Sequence, residues 1–152
     1  MYNSTMENLQ NNYIESYIDL QALLSLQVED RCNKDFLSFI RLVAPSIVSG
    51  FKMGRHIEVI SEKLQQIEEG ELKRLMVFLP PRSSKSMICS KLFPAWYIGR
   101  NPEHEILTIS HSDQLSSDFG RSVRDIVNTE EFQKIFRGVA LKSDVRAAGK
   151  WK

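Results

Sequence analysis

A lysine and a serine that follow a short polar turn are the residues of this chain best suited to chemistry. They close the stretch LMVFLPPRSSKS at residues 75–86. An apolar run precedes the turn, and a helical pattern follows it. A turn in that place can aim backbone N–H groups at phosphate oxygens, while Lys85 reaches the terminal phosphates and the Ser86 hydroxyl contacts Mg²⁺. The stretch therefore predicts a phosphate-binding loop.

The turn lacks the glycines of the common G-x-x-x-x-G-K-[ST] pattern, because Leu79 and Ser84 occupy the two glycine positions. At the second position the backbone can need a positive φ or a close approach to phosphate, and a Cβ atom makes both harder. Since serine is small, we expect strain at Ser84 rather than exclusion of the ligand. The alternative is an ordinary polar loop after two prolines. The apolar run before the turn and the helix after it favour the phosphate-binding loop.

Composition indicates one globular, soluble domain. The chain has 152 residues, of which 42% are hydrophobic, and this is enough to form a core. Its 20 basic and 19 acidic residues nearly cancel, so the overall charge does not mark a nucleic-acid binder. Cys32 and Cys89 lack the spacing of zinc or redox sites. No apolar run has the length of a membrane span, and the N-terminus lacks a signal-peptide pattern, so a cytoplasmic protein is expected.

Hydrophobic periodicity predicts a helical start followed by alternating strands and helices. Residues 1–16 are expected to form a loosely held polar lead-in. The predicted helices cover residues 18–28, 33–44, 56–69, 86–99, 113–128 and 131–136. The predicted strands cover residues 72–79 and 105–110, and two prolines close the first. This order predicts an α/β fold in which a parallel sheet is covered by flanking helices and preceded by a helical N-terminal segment.

Five blocks of sequence resemble, in order and spacing, the start of the ATPase domain of tailed-phage terminase large subunits. They are RH at 55–56, GELKR at 70–74, PPRSSKS at 80–86, LFPAW at 92–96 and GRSVR at 120–124. That family usually writes its loop PPRHGKS, so only Ser83 and Ser84 depart from it. The resemblance covers residues 35–152 and implies the N-terminal portion of a P-loop ATPase domain, with residues 1–34 as a polar and helical lead-in.

The resemblance also implies roles for individual residues. Lys85 would contact the β- and γ-phosphates of ATP, Ser86 would contact Mg²⁺, and Arg82 would stabilise charge on the transferring phosphoryl group. Arg55 and His56 occupy the place where the family binds near the adenine, and the alternative for them is a helix N-terminus without a ligand. The nucleotide-binding set on this basis is Pro81, Arg82, Ser83, Ser84, Lys85, Ser86, Arg55 and His56.

The function implied by the resemblance is that of a motor that hydrolyses ATP to package viral DNA into procapsids. Its partners would be double-stranded viral DNA, the portal protein and the small terminase subunit, with no membrane involved. The whole parent protein would assemble as a homo-oligomeric ring in the cytoplasm of the infected bacterial host. The four basic residues Lys142, Arg146, Lys150 and Lys152 are candidates for contact with the phosphate backbone of DNA.

Two parts of a complete terminase are missing from the sequence. No apolar run that ends in acidic residues follows Lys85, although hydrolysis needs such residues to hold Mg²⁺ and position water. No carboxylate cluster fits a two-metal nuclease. We therefore expect an N-terminal fragment that binds ATP and Mg²⁺ but does not hydrolyse ATP alone, although its parent is an ATPase and endonuclease. The alternatives are a non-hydrolysing interaction module of the packaging machinery and a fragment of another helicase-like P-loop ATPase.

Overall fold

The protein is described by a computed structural model that covers residues 2–141, with side chains at residue 14 and at residues 17–141. Within this part of the chain the regular elements are helices. They are α1 (Tyr2–Lys34), α2 (Phe36–Ile47), α3 (Arg55–Glu68), α4 (Lys85–Met87), a π-helical turn (Ile88–Leu92), α5 (Phe93–Arg100), α6 (Asp113–Val127) and α7 (Glu130–Ile135).

The predicted α/β fold is wrong. The structure is 65% helix and contains no β-strand in the described residues, so it is not a parallel-sheet P-loop fold. The predicted strand at 72–79 is irregular, although the burial of its side chains alternates. Leu75, Val77 and Leu79 lie partly buried against the core, whereas Met76 and Phe78 are exposed. Alternation predicts one buried face, but a strand also needs a neighbouring backbone that pairs with it.

The second predicted strand also forms no ladder. Each residue from 105 to 109 is exposed, and the apolar side chains of Leu107 and Ile109 are 84% and 83% exposed. The apolar character of this segment led us to expect burial. An apolar segment is buried only where another element covers it, and the sequence of the segment does not specify that element.

The N-terminal helices differ from the predictions in their bounds. α1 runs from Tyr2 to Lys34 and so begins earlier and ends later than the helix predicted over residues 18–28. The helix predicted over residues 33–44 is α2, which begins at Phe36 after the N-cap Asp35, whose carboxylate accepts a hydrogen bond of 2.7 Å from the Ser38 amide. α2 passes Pro45 and ends at Ile47. Because Pro45 lies in the last turn, its missing N–H removes one hydrogen bond near a helix end rather than in the middle.

The other helical predictions are confirmed within one or two residues. α3 buries Ile57, Ile60 and Leu64 on the face that their spacing predicted. α6 and α7 begin with side-chain caps, because Ser112 accepts a hydrogen bond from the Leu115 amide and Thr129 accepts one from the Phe132 amide. Periodicity succeeded here because an amphipathic helix satisfies its own backbone and needs only a surface to cover its apolar face.

Aromatic side chains form the centre of the core. Phe36 of α2 lies with its ring centroid 5.1 Å from Trp96 and 5.4 Å from Phe93, both on α5. Phe39 contacts Phe132 of α7 edge-on at 6.3 Å. The buried indole Nε1 of Trp96 donates a hydrogen bond of 3.0 Å to the Cys32 carbonyl. These contacts join α1, α2, α5 and α7 into one packed unit.

The helix after the polar turn runs from Lys85 to Arg100 and contains the π-helical turn. Pro94 lies inside this run directly after the π-helical turn, so its missing N–H falls where the regular hydrogen-bond ladder is already interrupted. Ile88, Leu92 and Trp96 are completely buried along this run. The buried face fixes the position of the helix start, and with it the polar turn.

Candidate functional site

The polar turn before Lys85 has an unusual backbone. Arg82 and Ser84 have φ angles of 64° and 60°, and they are the described non-glycine residues with positive φ. Ser84 is in the left-handed conformation, with ψ at 12°, directly before the first helical residue. A left-handed residue next to a right-handed one turns successive N–H groups toward one side and forms an anion-binding concavity. The positive φ expected for the second glycine position is therefore present at Ser84.

The start of the helix supplies donors to this concavity. The Ser84 carbonyl accepts the first helical hydrogen bond, of 3.0 Å, from the Ile88 amide. The amides of Lys85, Ser86 and Met87 precede that bond and have no acceptor inside the helix. Ser84 makes no side-chain cap to them. These donors, with the positive end of the helix dipole, favour an anion at the turn.

The Ser83 side chain also leaves the backbone amides of Lys85, Ser86 and Met87 without a cap. Its hydroxyl donates a hydrogen bond of 2.7 Å to the Pro80 carbonyl, three residues earlier. The bond closes the turn on itself and points the Ser83 side chain back toward the two prolines. Ser83 therefore shapes the loop, and its hydroxyl is engaged within the protein.

Two positive charges flank the concavity. The side chains of Arg82 and Lys85 are exposed, and neither forms an ion pair with another described residue. Ser86 is exposed beside them. Free N–H groups, two uncompensated cations and a hydroxyl constitute a donor set that suits phosphate oxygens.

A cysteine lies one helical turn beyond Lys85. Burial raises the pKa of the Cys89 thiol, and the Lys85 ammonium opposes this shift. The thiol is therefore neutral at physiological pH and contributes no charge to the loop. Since thiolates rather than thiols act as nucleophiles, Cys89 belongs to the packing beneath the site.

The structure does not join Arg55 and His56 to the loop. Both are exposed at the start of α3, and in the described residues neither is hydrogen-bonded or ion-paired to residues 80–86. The His56 ring folds over Gly54, where an added Cβ atom would lie 2.8 Å from its Cε1 atom. Their predicted position near an adenine remains a prediction.

Arg55 lies instead in an acidic cleft of about 670 Å³ between α2 and α3. Five carboxylates line this cleft, and four of them have partners. Glu62 pairs with Lys63 at 3.4 Å, and Glu69 accepts a hydrogen bond of 2.8 Å from Gln65. Glu58 pairs with Arg41 at 3.3 Å, and the Asp35 carboxylate caps α2. The lining carboxylates are Asp35, Glu58, Glu62, Glu69 and Glu71. An excess of negative charge is unfavourable for phosphate, so this cleft is not an extension of the loop site.

A magnesium ion at the loop would have one protein ligand from the predicted set, the Ser86 hydroxyl. Mg²⁺ is commonly bound through a few protein oxygens together with substrate phosphates and water, so this donor fits the ion when phosphate is present. The described residues contain no group of three or more His, Cys, Asp or Glu side chains that could hold a metal. Any Mg²⁺ site at this loop would thus be shared with the nucleotide.

Other polar residues near the predicted strand ends have local partners. Ser112 is the N-cap of α6, with its hydroxyl oxygen 3.3 Å from the Leu115 amide. Arg121 pairs with Asp118 at 3.1 Å and Arg124 with Asp125 at 3.4 Å, on the surface of α6. The basic segment from Lys142 to Lys152 lies outside the described residues.

The positive φ at Arg82 was not anticipated from the sequence. Arginine carries no signal for the left-handed region, which favours glycine and asparagine. Pro80 and Pro81 restrict the backbone before Arg82, but they do not specify the φ angle of Arg82 itself. The conformation follows from closing the turn between Pro80 and the buried helix.

Comparisons with known proteins give no relative for this chain. No protein-family model matches it, and no curated protein or solved structure matches it. In the described part of the chain, no helix combines the length and apolar character required to cross a membrane.

Proposed function

We propose that residues 81–86 bind the phosphate groups of ATP together with Mg²⁺. The observation that carries this proposal is the left-handed Ser84 placed directly before a helix whose first amides lack acceptors. This backbone presents several donors to one anion at a position where a non-glycine residue is strained. Strained non-glycine residues of this kind cluster at ligand-binding sites.

Each side chain around the turn has a different role in this proposed site. Lys85, the first helical residue, carries a mobile ammonium that reaches the terminal phosphates as a point charge. Arg82, two residues before Ser84, has a planar guanidinium, which suits two phosphate oxygens at once. Ser86 offers its hydroxyl to the magnesium ion. Pro81 and Ser83 hold the turn that places these groups.

We further propose that the chain is the N-terminal part of a phage terminase large subunit. The support for this wider function is the order of the five sequence blocks, of which the phosphate loop is the third. In this role the parent protein packages double-stranded viral DNA with the portal protein and the small subunit, as a ring in the host cytoplasm. The chain alone binds nucleotide without efficient hydrolysis.

Calorimetry with the purified chain tests the loop directly. ATP and inorganic tripolyphosphate are titrated with and without Mg²⁺, and adenosine serves as a ligand without phosphate. Binding of both phosphate ligands, strengthened by Mg²⁺ for ATP, is the expected result. Adenosine alone should give no heat of binding, because the proposed contacts are to phosphate.

A matched pair of variants tests whether Lys85 is the lysine that contacts the phosphates. Lys85→Ala should abolish binding, whereas Lys91→Ala, on the same helical run but beyond the loop, should bind like the unchanged chain. Circular dichroism confirms that both variants fold. Equal binding by Lys85→Ala and Lys91→Ala would remove the loop from consideration as the ATP site.

A second candidate is an interaction module of the packaging machinery that binds no nucleotide. The exposed apolar side chains on the two irregular segments favour it, since large apolar groups on a surface mark contact sites. They are Met76, Phe78, Leu107 and Ile109. A folded chain that binds neither ATP nor tripolyphosphate would favour this candidate over the first.

A further inference from the structure

The part of the chain that includes the polar turn carries positive charge without compensation. Residues 72–102 contain six basic residues and no Asp or Glu, although the sequence as a whole is nearly neutral. Of the six, Arg100 is paired with Glu68 at 2.8 Å. The other five form no ion pair with a described residue, and they are Lys73, Arg74, Arg82, Lys85 and Lys91. A local excess of unpaired cations favours an anionic partner.

Most of these cations are accessible. Lys73 and Arg74 are exposed before the turn, and Arg82 and Lys85 are exposed within it, whereas Lys91 is partly buried. The exposed positive charge is therefore distributed along the chain and is not confined to one point. A partner with many regularly spaced negative charges matches such a distribution better than a single anion does.

Between the two pairs of cations the chain exposes an aromatic ring. The odd-numbered side chains from 75 to 79 lie partly buried against the core, whereas Met76 and Phe78 are 78% and 81% exposed. Successive side chains of an extended chain point to opposite sides, so Arg74, Met76 and Phe78 share the outer side of this segment. We call Lys73, Arg74, Met76 and Phe78 the 73–78 face.

The ring of Phe78 is available for stacking. It makes no ring contact with another described aromatic side chain. Cations that follow a phosphate backbone, combined with an exposed ring on which a base stacks, are the features that bind single-stranded nucleic acid. In a duplex the bases are stacked on one another and paired, so their faces do not reach such a ring.

We propose that the 73–78 face binds single-stranded nucleic acid. Lys73 and Arg74 contact backbone phosphates, and a base stacks on Phe78. Because every base has a flat face, the binding is tolerant of sequence. None of the four residues of the 73–78 face belongs to the proposed ATP site, so this inference does not depend on ATP binding at the polar turn.

Fluorescence anisotropy with the full chain tests the proposal. The probes are a labelled oligothymidylate and the same strand paired with its complement. The single strand should bind more tightly than the duplex by roughly tenfold or more, since only the single strand gains the stacking contribution. Equal or tighter binding of the duplex would overturn the proposal, because it would indicate attraction by charge alone.

Substitutions of the ring separate stacking from apolar contact. Phe78→Leu keeps an apolar side chain and should weaken binding of the single strand about tenfold, whereas Phe78→Trp should preserve or strengthen it. Tyr17→Ala removes an aromatic ring that is 64% exposed on α1 and should have no effect. Circular dichroism checks that the variants fold. Equal binding by Phe78→Leu and Phe78→Trp would contradict stacking on this ring.

The salt dependence of binding tests the phosphate contacts. Arg74→Ala should make the slope of log affinity against log salt concentration shallower by about 0.7, the value for one phosphate contact on a single strand. Lys134→Ala removes a cation of α7 whose side chain is 63% exposed, and it should leave the slope unchanged. An unaltered slope in Arg74→Ala would contradict the contact. Calorimetry with ATP should give the same result for Arg74→Ala as for the unchanged chain.

Vesicles that contain phosphatidylserine are the remaining probe, because a membrane is also an anionic surface that accepts exposed apolar side chains. The chain should bind the oligonucleotide more tightly than the vesicles at the same salt concentration, since two apolar side chains bury little area in a membrane. Tighter binding to the vesicles would reject nucleic acid as the partner in favour of a lipid surface.

Discussion

The Ser84 carbonyl accepts a hydrogen bond of 3.0 Å from the Ile88 amide although φ of Ser84 is 60°. The residue that begins the helical ladder is thus itself left-handed. A non-glycine residue in this region carries strain on the order of 1–2 kcal/mol. The buried face of the following helix holds the ladder in place and maintains that strain.

Replacing Ser84 by glycine should relieve the strain. We expect Ser84→Gly to raise the free energy of unfolding by about 1 kcal/mol, because glycine adopts positive φ without a Cβ clash. Urea denaturation at constant pH measures the change. Its control is Ser83→Gly, which removes the hydrogen bond to the Pro80 carbonyl at a position without positive φ, and should lower stability. A loss of stability in Ser84→Gly would contradict the strain.

The ion pair between Glu68 and Arg100 should be important for stability. Arg100 Nε lies 2.8 Å from Glu68 Oε1, and the Glu68 side chain is 6% exposed. Asn101 donates to the same oxygen at 2.9 Å. Glu68→Ala leaves the Arg100 guanidinium, itself partly buried, without its counter-ion, and should cost about 2–3 kcal/mol.

An exposed ion pair serves as the control for the stability effect of removing Glu68. The Lys34–Asp30 pair at 2.8 Å has both side chains more than half exposed. Asp30→Ala should therefore change stability by less than about 0.5 kcal/mol. Thermal and urea denaturation of both variants measure the difference, and similar effects from the two substitutions would show that burial of Glu68 has no energetic consequence.

Gly99 is required by a close approach within the core. A Cβ atom added at Gly99 would lie 2.6 Å from the ring of Phe136, which is buried. Gly99→Ala should destabilise the protein by about 2 kcal/mol, because overpacking outweighs the better helix propensity of alanine. In the double variant with Phe136→Leu, the total loss should be smaller than the sum of the two single losses. Additive losses would mean that the ring moves away freely.

Alkaline pH should destabilise the protein through Cys32. Burial, with a smaller contribution from Asp35, raises the pKa of the Cys32 thiol from 9.0 to about 11. Below pH 9 the thiol is neutral in both states, so its contribution to stability is complete. Between pH 9 and 11 the unfolded chain ionises first, and stability falls as pH rises.

Urea denaturation at several pH values checks this prediction with a matched variant. Cys32→Ala removes the titrating group, so the fall in stability above pH 9 should be smaller than in the unchanged chain. Lysine and tyrosine side chains titrate in both proteins and cancel in the comparison. Parallel curves for the two proteins would contradict a role for the thiol.

Part of the candidate site could be predicted from the sequence. Lys85 and Ser86 were identified by type, order and position before a helix, and the strain expected at Ser84 appears as a positive φ. The predicted grouping of Arg55 with the loop was not reproduced by any contact. Local spacing determines which residues share a turn, whereas the distance between residues far apart in the chain depends on how their elements pack.

The two irregular segments show that the sequence pattern alone did not predict strand formation correctly. Residues 72–79 and 105–110 have apolar patterns typical of strands, and neither forms a ladder in the described chain. Helices α3 and α6 were predicted almost to the residue from patterns of similar strength. The difference is that a helix bonds to itself within four residues, whereas a strand depends on a distant backbone.

The sequence by itself determined the helices from α3 onward, their buried faces and the polar turn with its lysine and serine. The tertiary structure decided the rest. It placed Trp96 against Cys32, fixed the start of the Lys85–Arg100 helix, and left the apolar segments without a sheet. Local hydrogen bonds and side-chain periodicity involve residues a few positions apart, so they can be predicted from the sequence. Burial and strand pairing result from contacts between elements far apart in the chain.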